Sequence, residues 1–574
     1  MRLLFTLVVM LLCLMAVLFK VGLLQTFQGD ALRSAAANQW TRERTLPAQR
    51  GAIFDRNGNE LALSVPAATV TVNPKQVDDP EATAAAFARV LDLTDDREAE
   101  LAAAMAKRDR GFLYVARQVE PELAEAIDER ELPGVATLRE DRRMFPGGVT
   151  ARSVIGRTDI DGVGIAGLET QYEETLKGTD GSMTIEVMPD GRSVAGSEHV
   201  EDGPVSGHDL VLSIERSVQY AVEQALLNRA GATRARGGQA IVMDTDSGEV
   251  IAMASVQIDE DTGTYEVTSG NYSAVAAYEP GSVGKVITIA GALSEGTVTP
   301  ESGFYVPWRK QYTRDGKFLS DSHYHPDESL TVEQILVESS NIGTISISET
   351  MGFENQYEYM RAFGLGEVTA LDFPQESPGI LEPWQEWEGT EKYTVAYGQG
   401  VASTPIQLIS AVNVVANDGR YVDPKLVLGT VDADGDLQET EPSETREVIS
   451  ETAATQMQTM MREVVCRGTA KAAQVPGLSV AGKTGTGYIA QDNGTYFLDD
   501  GVTRAYYASF VGFLPAEDPQ VTILVSIDQP DASSGDRFGG TAAAPVFQEL
   551  APIMVHELGI DPPAGSTGCE AEDG

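Results

Sequence analysis

The sequence predicts a protein of the α+β class in three parts: a single N-terminal transmembrane helix, an elongated α+β pedestal, and a larger α+β domain. Three observations carry that prediction. The chain is apolar from Leu3 to Phe19 except at Thr6. Two hairpin signals stand far apart, Asn57-Gly58 between apolar-alternating arms and Asp246-Ser247-Gly248 between two apolar runs. Around both hairpins, capped helical patterns mix with short Val- and Thr-rich strands.

Composition narrows the function classes. A chain of 574 residues is too long for one core. Its 42% hydrophobic and 22% charged residues are ordinary for a folded protein. Lys+Arg 42 against Asp+Glu 86 leaves a net charge of −44, a surface that repels nucleic acid and offers it no basic arm. Of three cysteines, Cys13 lies in the apolar run and acts there as an apolar residue. Cys466 and Cys569 can pair if both face an oxidising compartment, and nothing local decides whether they do. No Cys/His spacing resembles a zinc site.

Taken in order, residues 1–27 read as a cytoplasmic stub and membrane anchor. The run continues past Lys20 through Val21-Gly22-Leu23-Leu24, longer than a signal-peptide core and long enough to span if Lys20 snorkels. Arg2, the only charge before the run, favours an N-inside orientation with the rest of the chain outside. Ser34-Ala35-Ala36-Ala37 imitates a cleavage site, but a retained anchor is the reading adopted. Residues 28–49 form a polar connector, expected to continue as a helix over Asp30–Arg50. Residues 50–208 make the pedestal, with the Asn57-Gly58 hairpin, a short strand at Thr69–Val72, and helices at Glu81–Leu91 and Asp96–Lys107. Residues 209–236 are a linker helix, 237–558 the larger domain, and 559–574 a disordered acidic tail.

Within 237–558, strands are expected at Gly237–Asp244, Glu249–Ala254, Leu478–Ala481, Ala508–Leu514 and Val521–Asp528. Helices are expected to start near Ser282 and to cover Leu330–Val337, Pro405–Ala416, Glu451–Val465 and Ala543–Glu557. Thr331 with Gln334 makes a capping-box pattern for the second of these. The Pro280-Gly281 turn puts Ser282 at a helix N-terminus, where unpaired N–H groups favour developing negative charge. Lys285, three residues on, shares its face, and a hydroxyl needs such a basic partner to become a nucleophile. Alone, a serine and a lysine three apart are more often a bland exposed pair.

Two further motifs change that weighing: Ser339-x-Asn341, and Lys483-Thr484-Gly485-Thr486. With Ser282-x-x-Lys285 they make the ordered triplet of the penicillin-binding and serine β-lactamase superfamily. The chain resembles a class B penicillin-binding protein, a monofunctional peptidoglycan D,D-transpeptidase, most like the septal cell-division type of high-GC Gram-positive bacteria. The likeness extends to Arg50-Gly51, Asp55-Arg56-Asn57-Gly58, Gly167-Leu168-Glu169, Gly178, Gly181, Tyr278-Glu279-Pro280-Gly281 and Ala543-Ala544-Pro545-Val546-Phe547, and so covers nearly the whole chain.

That resemblance implies an antiparallel sheet flanked by helices for the larger domain. It implies that Ser282 attacks the penultimate carbonyl of a D-Ala-D-Ala stem, that Lys285 takes its proton, and that Ser339 relays a proton to the departing amine. Asn341 is implied to orient Lys285 and bond the substrate amide. Lys483, Thr484 and Thr486 would hold the terminal carboxylate, with Gly485 clearing room along a strand edge. Backbone N–H groups of Ser282 and Thr486 would form the oxyanion hole, a contribution of roughly 3–4 kcal/mol per donor in other enzymes. Lys285 can act as base only if burial and a neighbouring Lys483 lower its pKa. No metal or organic cofactor is implied. The partners implied are stem peptides, β-lactams, the plasma membrane, a membrane glycosyltransferase and other division proteins. Side-wall duty, a hydrolase of the D,D-carboxypeptidase or β-lactamase kind, and a non-enzymatic division scaffold stand as alternatives.

Gly284 and Gly487 depart from the resemblance, since relatives usually carry a larger residue at the first and often alanine at the second. Three other signals are set aside. Gly477 to Thr484 fits a phosphate-loop spelling but has its apolar run between the glycines. His323 and His325 lack a third metal ligand and read as loop residues. Asp432-Ala433-Asp434-Gly435-Asp436 lacks the glycine and glutamate of a calcium loop and reads as an acidic turn.

Overall fold

The structure, a computed structural model, describes residues 1–26, 40–188, 194, 196–313, 316–489, 496–498, 500–563 and 568–569. Two compact units emerge, Met1–Arg50 with Lys177–Gly207, and Gly51–Leu176 with His208–Gly574.

The first unit begins with a helix over Arg2–Thr26. Its stretch Arg2–Leu24 has mean hydropathy 2.8 and is long and apolar enough to cross a membrane. At ~1.5 Å per residue it reaches about 35 Å, more than a hydrocarbon core of roughly 30 Å. Strand Thr41–Leu46 pairs antiparallel with Gly181–Glu186, which pairs with His199–Asp202. The helix expected from Asp30 is thus corrected to a strand over Thr41–Leu46, while residues 27–39 lie outside the described residues. A partner more than a hundred positions away decides this local conformation, and no window of sequence contains both.

The second unit holds the rest of the pedestal. Asp55 is fully buried and organises the hairpin turn: Oδ1 accepts the N–H of Asn57 and Asn59, and Oδ2 accepts from Asn59 Nδ2. Gly58 sits at φ 79°, where an L side chain is strained. The second arm, Glu60–Val72, is one strand of 13 residues, so the separate strand expected at Thr69–Val72 is its far end. Helices Pro80–Leu91 and Asp95–Ala106 are capped by Asp79 and Thr94, whose side chains accept from the N–H groups of Ala82 and Arg97. A short helix at Pro121–Asp128 completes a small core around Phe87, Leu101 and Ile127.

Pedestal and larger domain share a seven-stranded sheet. Its order is Leu437–Glu439, Val427–Val431, Asp209–Leu212, Ile53–Phe54, Glu60–Val72 and Leu113–Val119, with Val135–Met144 also pairing on Glu60–Val72. The first two strands come from far down the chain. Asp432 Oδ1 accepts the N–H of Asp434 and Asp436 in the turn joining them, as an acidic turn does. Arg143 and Glu169 form a buried ion pair (Nε–Oε1 2.7 Å), and Arg143 Nη1 also donates to the carbonyl of Gly51. The extra acceptor offsets part of the cost of burying a guanidinium.

The larger domain is built on six antiparallel strands, in the order Tyr265–Val267, Val250–Ile258, Gly237–Asp244, Val521–Asp528, Tyr506–Leu514 and Ala481–Tyr488. Four of them are buried along nearly their whole length, so both faces of the sheet are covered. Helices Arg216–Thr233, Pro405–Ala416, Glu451–Cys466 and Ala544–Glu557 pack on these strands. Cys466, the last residue of its helix, is bonded to Cys569 (S–S 2.01 Å).

Candidate active site

Ser282 lies in a single 3-10 turn, Gly281–Val283, that leads directly into the helix Gly284–Ser294. That helix is buried at every position from Gly284 to Leu293, so Lys285 projects inside the protein and is fully buried. Ser339 ends the helix Val332–Glu338, which has the capping box of Thr331 and Gln334. Its φ of 60° places it in the left-handed region, turning its side chain out of the helical path. Ser340 then caps the next helix by accepting the N–H of Gly343. Lys483 and Thr484 lie within the edge strand Ala481–Tyr488. The strand expected at Leu478–Ala481 is therefore displaced onto the motif itself. A lysine inside a strand with no helix after it also disposes of the phosphate-loop reading.

The three motifs converge on Ser339. Lys285 Nζ donates to the Ser339 carbonyl and lies 3.1 Å from its Oγ. Lys483 Nζ lies 3.0 Å from the same Oγ and 3.1 Å from the carbonyl of Thr484. Burial pushes the Lys285 amine well below its ordinary pKa, the Lys483 charge pushes it further, and Asp321 pulls the other way. Burial lowers Lys483 to about 7. A hydroxyl between two such amines can donate to one that is neutral while accepting from one that is charged.

The remaining motif residues are placed as follows. Asn341 Nδ2 donates to the carbonyl of Ser320 at 3.1 Å. Thr484 Oγ1 is 2.7 Å from Thr469 Oγ1, and Thr486 Oγ1 accepts the N–H of Gly539 at 3.3 Å. Ser282 is half-buried, and its turn packs on the edge strand, where a Cβ on Gly281 would meet the Thr486 carbonyl at 2.6 Å. Gly485 is tight for a different reason from the one expected. A Cβ there would meet Ser509 Oγ at 2.4 Å and the Pro280 carbonyl at 2.7 Å. The two departures have the same origin: a Cβ on Gly284 would meet Gly398 Cα at 2.8 Å, and one on Gly487 the Glu279 carbonyl at 2.0 Å.

Asp321 escaped the sequence reading. Its carboxylate accepts the N–H of Asn341 and Ile342 and the Ser340 hydroxyl, closing the start of the Asn341–Ala362 helix. His325, a loop residue as expected, sets Nε2 3.0 Å from Asp321. Burial works against its charge, but the Pro326 carbonyl and Asp321 raise its pKa overall. The only signal for Asp321 was an acid shortly before two histidines.

Family profiles match both halves: the penicillin binding protein transpeptidase domain over residues 238–551, and the penicillin-binding protein dimerisation domain over residues 45–212. Among curated relatives, penicillin-binding protein PbpB of Mycolicibacterium smegmatis is 33% identical, the alignment covering 95% of this chain and 88% of the relative. Peptidoglycan D,D-transpeptidase FtsI of Escherichia coli is 30% identical, with 98% and 92% covered. Among solved structures, penicillin binding protein 3 from Mycobacterium tuberculosis, complexed with aztreonam, superposes with a TM-score of 0.69 at 28% identity, covering 91% of this chain and all of that one. The antiparallel sheet, with one of the two buried lysines about Ser339 on its edge strand, is the class of fold that the penicillin binding protein transpeptidase profile describes. Within it, the chain belongs to the class B penicillin-binding proteins, which pair a dimerisation domain with a transpeptidase domain.

Proposed function

We propose that this chain is a septal peptidoglycan D,D-transpeptidase working through an acyl-enzyme on Ser282. The observation that carries the reading is the Ser339 hydroxyl set within hydrogen-bond reach of two fully buried lysines. Neutral Lys285 takes the Ser282 proton as Oγ bonds to the penultimate D-Ala carbonyl carbon. Negative charge on that carbonyl oxygen falls to the N–H groups of Ser282 and Thr486. Collapse breaks the C–N bond, and the departing D-Ala amine receives a proton through Ser339. The amine of a second stem then attacks the ester carbonyl, forming the cross-link and returning the proton to Ser282. Lys483, Thr484 and Thr486 hold the donor's terminal carboxylate, and Asn341 lies beside the substrate amide.

A β-lactam carries a strained amide in place of that terminus and acylates the same oxygen. The Cys466–Cys569 bond supports an oxidising, extracytoplasmic setting for the larger domain, reached through the Arg2–Leu24 helix. Likeness along the whole chain to PbpB and FtsI supports septal over side-wall duty. Partners expected there are a membrane glycosyltransferase and other division proteins.

Mass spectrometry after incubation with benzylpenicillin tests the chemistry. One adduct should map to the peptide containing Ser282, vanish in Ser282→Ala, and persist far longer than a β-lactamase acyl-enzyme would. Rapid release of the label would favour a hydrolase. Depletion of the protein should block septum formation; cells that merely lose their width control would assign it to the side wall.

A further inference from the structure

The loop ahead of the second motif carries a histidine whose two ring nitrogens both face acceptors. His325 Nε2 lies 3.0 Å from Asp321 Oδ2. Its Nδ1 lies 2.8 Å from the Pro326 carbonyl and 3.0 Å from Glu328 Oε1. A neutral imidazole has one N–H and one lone pair, so either tautomer would set a lone pair against an oxygen. The imidazolium, with two N–H groups, suits every one of these partners.

The charged groups that face the ring come from three elements. They are Asp321 of the loop itself, Glu328 of the strand Glu328–Thr331, and Glu338 at the end of the helix Val332–Glu338. All three are acids. On the same loop, Asp327 takes the Tyr305 hydroxyl, and His323 turns to the Ser322 hydroxyl at 3.0 Å. Burial disfavours a charge on His325, yet the Pro326 carbonyl and the acids outweigh it and raise its pKa above the ordinary 6.5. With 22% of its side chain exposed, the ring exchanges its proton with solvent.

What this charge holds is Asp321. The same Oδ2 accepts the Ser340 hydroxyl at 2.7 Å, while Oδ1 accepts the N–H groups of Asn341 and Ile342. Ser340 stands between Ser339 and Asn341, so one carboxylate anchors the turn that sets the Ser339 hydroxyl between Lys285 and Lys483.

We propose that His325, doubly protonated, is a positioning residue for the second motif, holding Asp321 and through it the Ser339–Asn341 turn. Loss of its proton then loosens the site although the ring touches no reacting atom. The proposal rests on the transpeptidase reading above, in which Ser339 relays a proton. Because the folded state raises this pKa, the support is complete below the ordinary 6.5 and is lost as pH rises through the raised value.

The test measures second-order rate constants for acylation of the full chain by benzylpenicillin, from pH 6 to 9, in the parent and in His325→Gln. Glutamine can donate to Asp321 but never carries charge. Taking the ratio of parent to variant at each pH removes the limbs that Lys285 and Lys483 impose on both. The ratio should be about tenfold at pH 6, the scale of losing one charge-assisted hydrogen bond, and should shrink below about threefold at pH 9. A ratio that stays flat within about twofold, or rises, overturns the proposal, since a merely structural histidine costs the same at every pH. Should His325→Gln not fold, a nitrogen-15 titration of the parent, labelled at its five histidines, decides instead. One ring should keep both nitrogens protonated above pH 6.5; five rings that all lose a proton at or below 6.5 overturn the proposal. Failure of benzylpenicillin to acylate the parent at Ser282 at any pH would remove the transpeptidase reading, and this proposal with it.

Discussion

Ser339 Oγ is shared by two amines that cannot both stay charged. Their nitrogens lie 3.1 and 3.0 Å from it, hence no more than about 6 Å apart, where two cations repel by roughly 3 kcal/mol at an effective dielectric near 20. Burial adds to that penalty on both amines, and with the Lys483 charge beside it Lys285 is pushed well below its ordinary value. Protonated Lys285 cannot accept from Ser282, so the second-order rate of penicillin acylation should rise with pH as Lys285 deprotonates. In the proposed mechanism it should fall again through about 7 as Lys483 loses the proton with which it would pair a ligand carboxylate. A rate still climbing at pH 10 would show Lys285 keeping its ordinary basicity. The meeting of Lys285, Ser339 and Lys483 is legible because the motif spelling is local and ordered along the chain. Asp321 was not, since it works by accepting backbone N–H groups from a helix that starts twenty positions later. Nor was the position of Asn341 Nδ2, directed at Ser320 rather than at Lys285.

At the level of elements, the nucleophile helix shows two effects opposed at one residue. Gly284 costs the helix on the order of 1 kcal/mol relative to alanine. A methyl there would press within 2.8 Å of the Gly398 backbone, and overpacking of that kind costs about 1–3 kcal/mol. The clash is with backbone and cannot be relieved by a rotamer change, so it should win. Gly284→Ala should unfold at lower urea and react more slowly with penicillin; a stabilised variant would mean that the Tyr397–Gly398 turn gives way. Helices with caps were readable to within a residue or two, as at Val332–Glu338 and Pro405–Ala416. Strands are less legible wherever pairing is distant: the pattern over Thr41–Leu46 reads as helix, and the pattern before Ala481–Tyr488 places that strand at Leu478–Ala481. Glycine-to-backbone approaches such as Gly487 on Glu279 leave no local pattern at all.

For the whole molecule, the Cys466–Cys569 bond ties the end of the Glu451–Cys466 helix to a residue 103 positions on. Closing a loop of that length removes about 4–5 kcal/mol of chain entropy from the unfolded state in the simplest account. Cys569→Ser, or reductant, should lower the unfolding midpoint by about 5–10 °C; no shift in calorimetry would mean the pair is reduced in the working protein. The sequence left this pairing open because two cysteines carry no spacing signature. Nor did it announce the seven-stranded sheet, in which Val427–Val431 crosses over to lie against Asp209–Leu212. That crossing has a practical outcome for anyone trimming the protein. A fragment cut to residues 238–551, the span of the transpeptidase profile, keeps Val427–Val431 but discards its neighbour. One flank of that ribbon would be left with bare amides and carbonyls, an adhesive seam for other copies. Such a fragment should elute as aggregate in gel filtration, whereas one that retains Asp209–Leu212 together with its further neighbours Ile53–Phe54 and Glu60–Val72 should run as a single species.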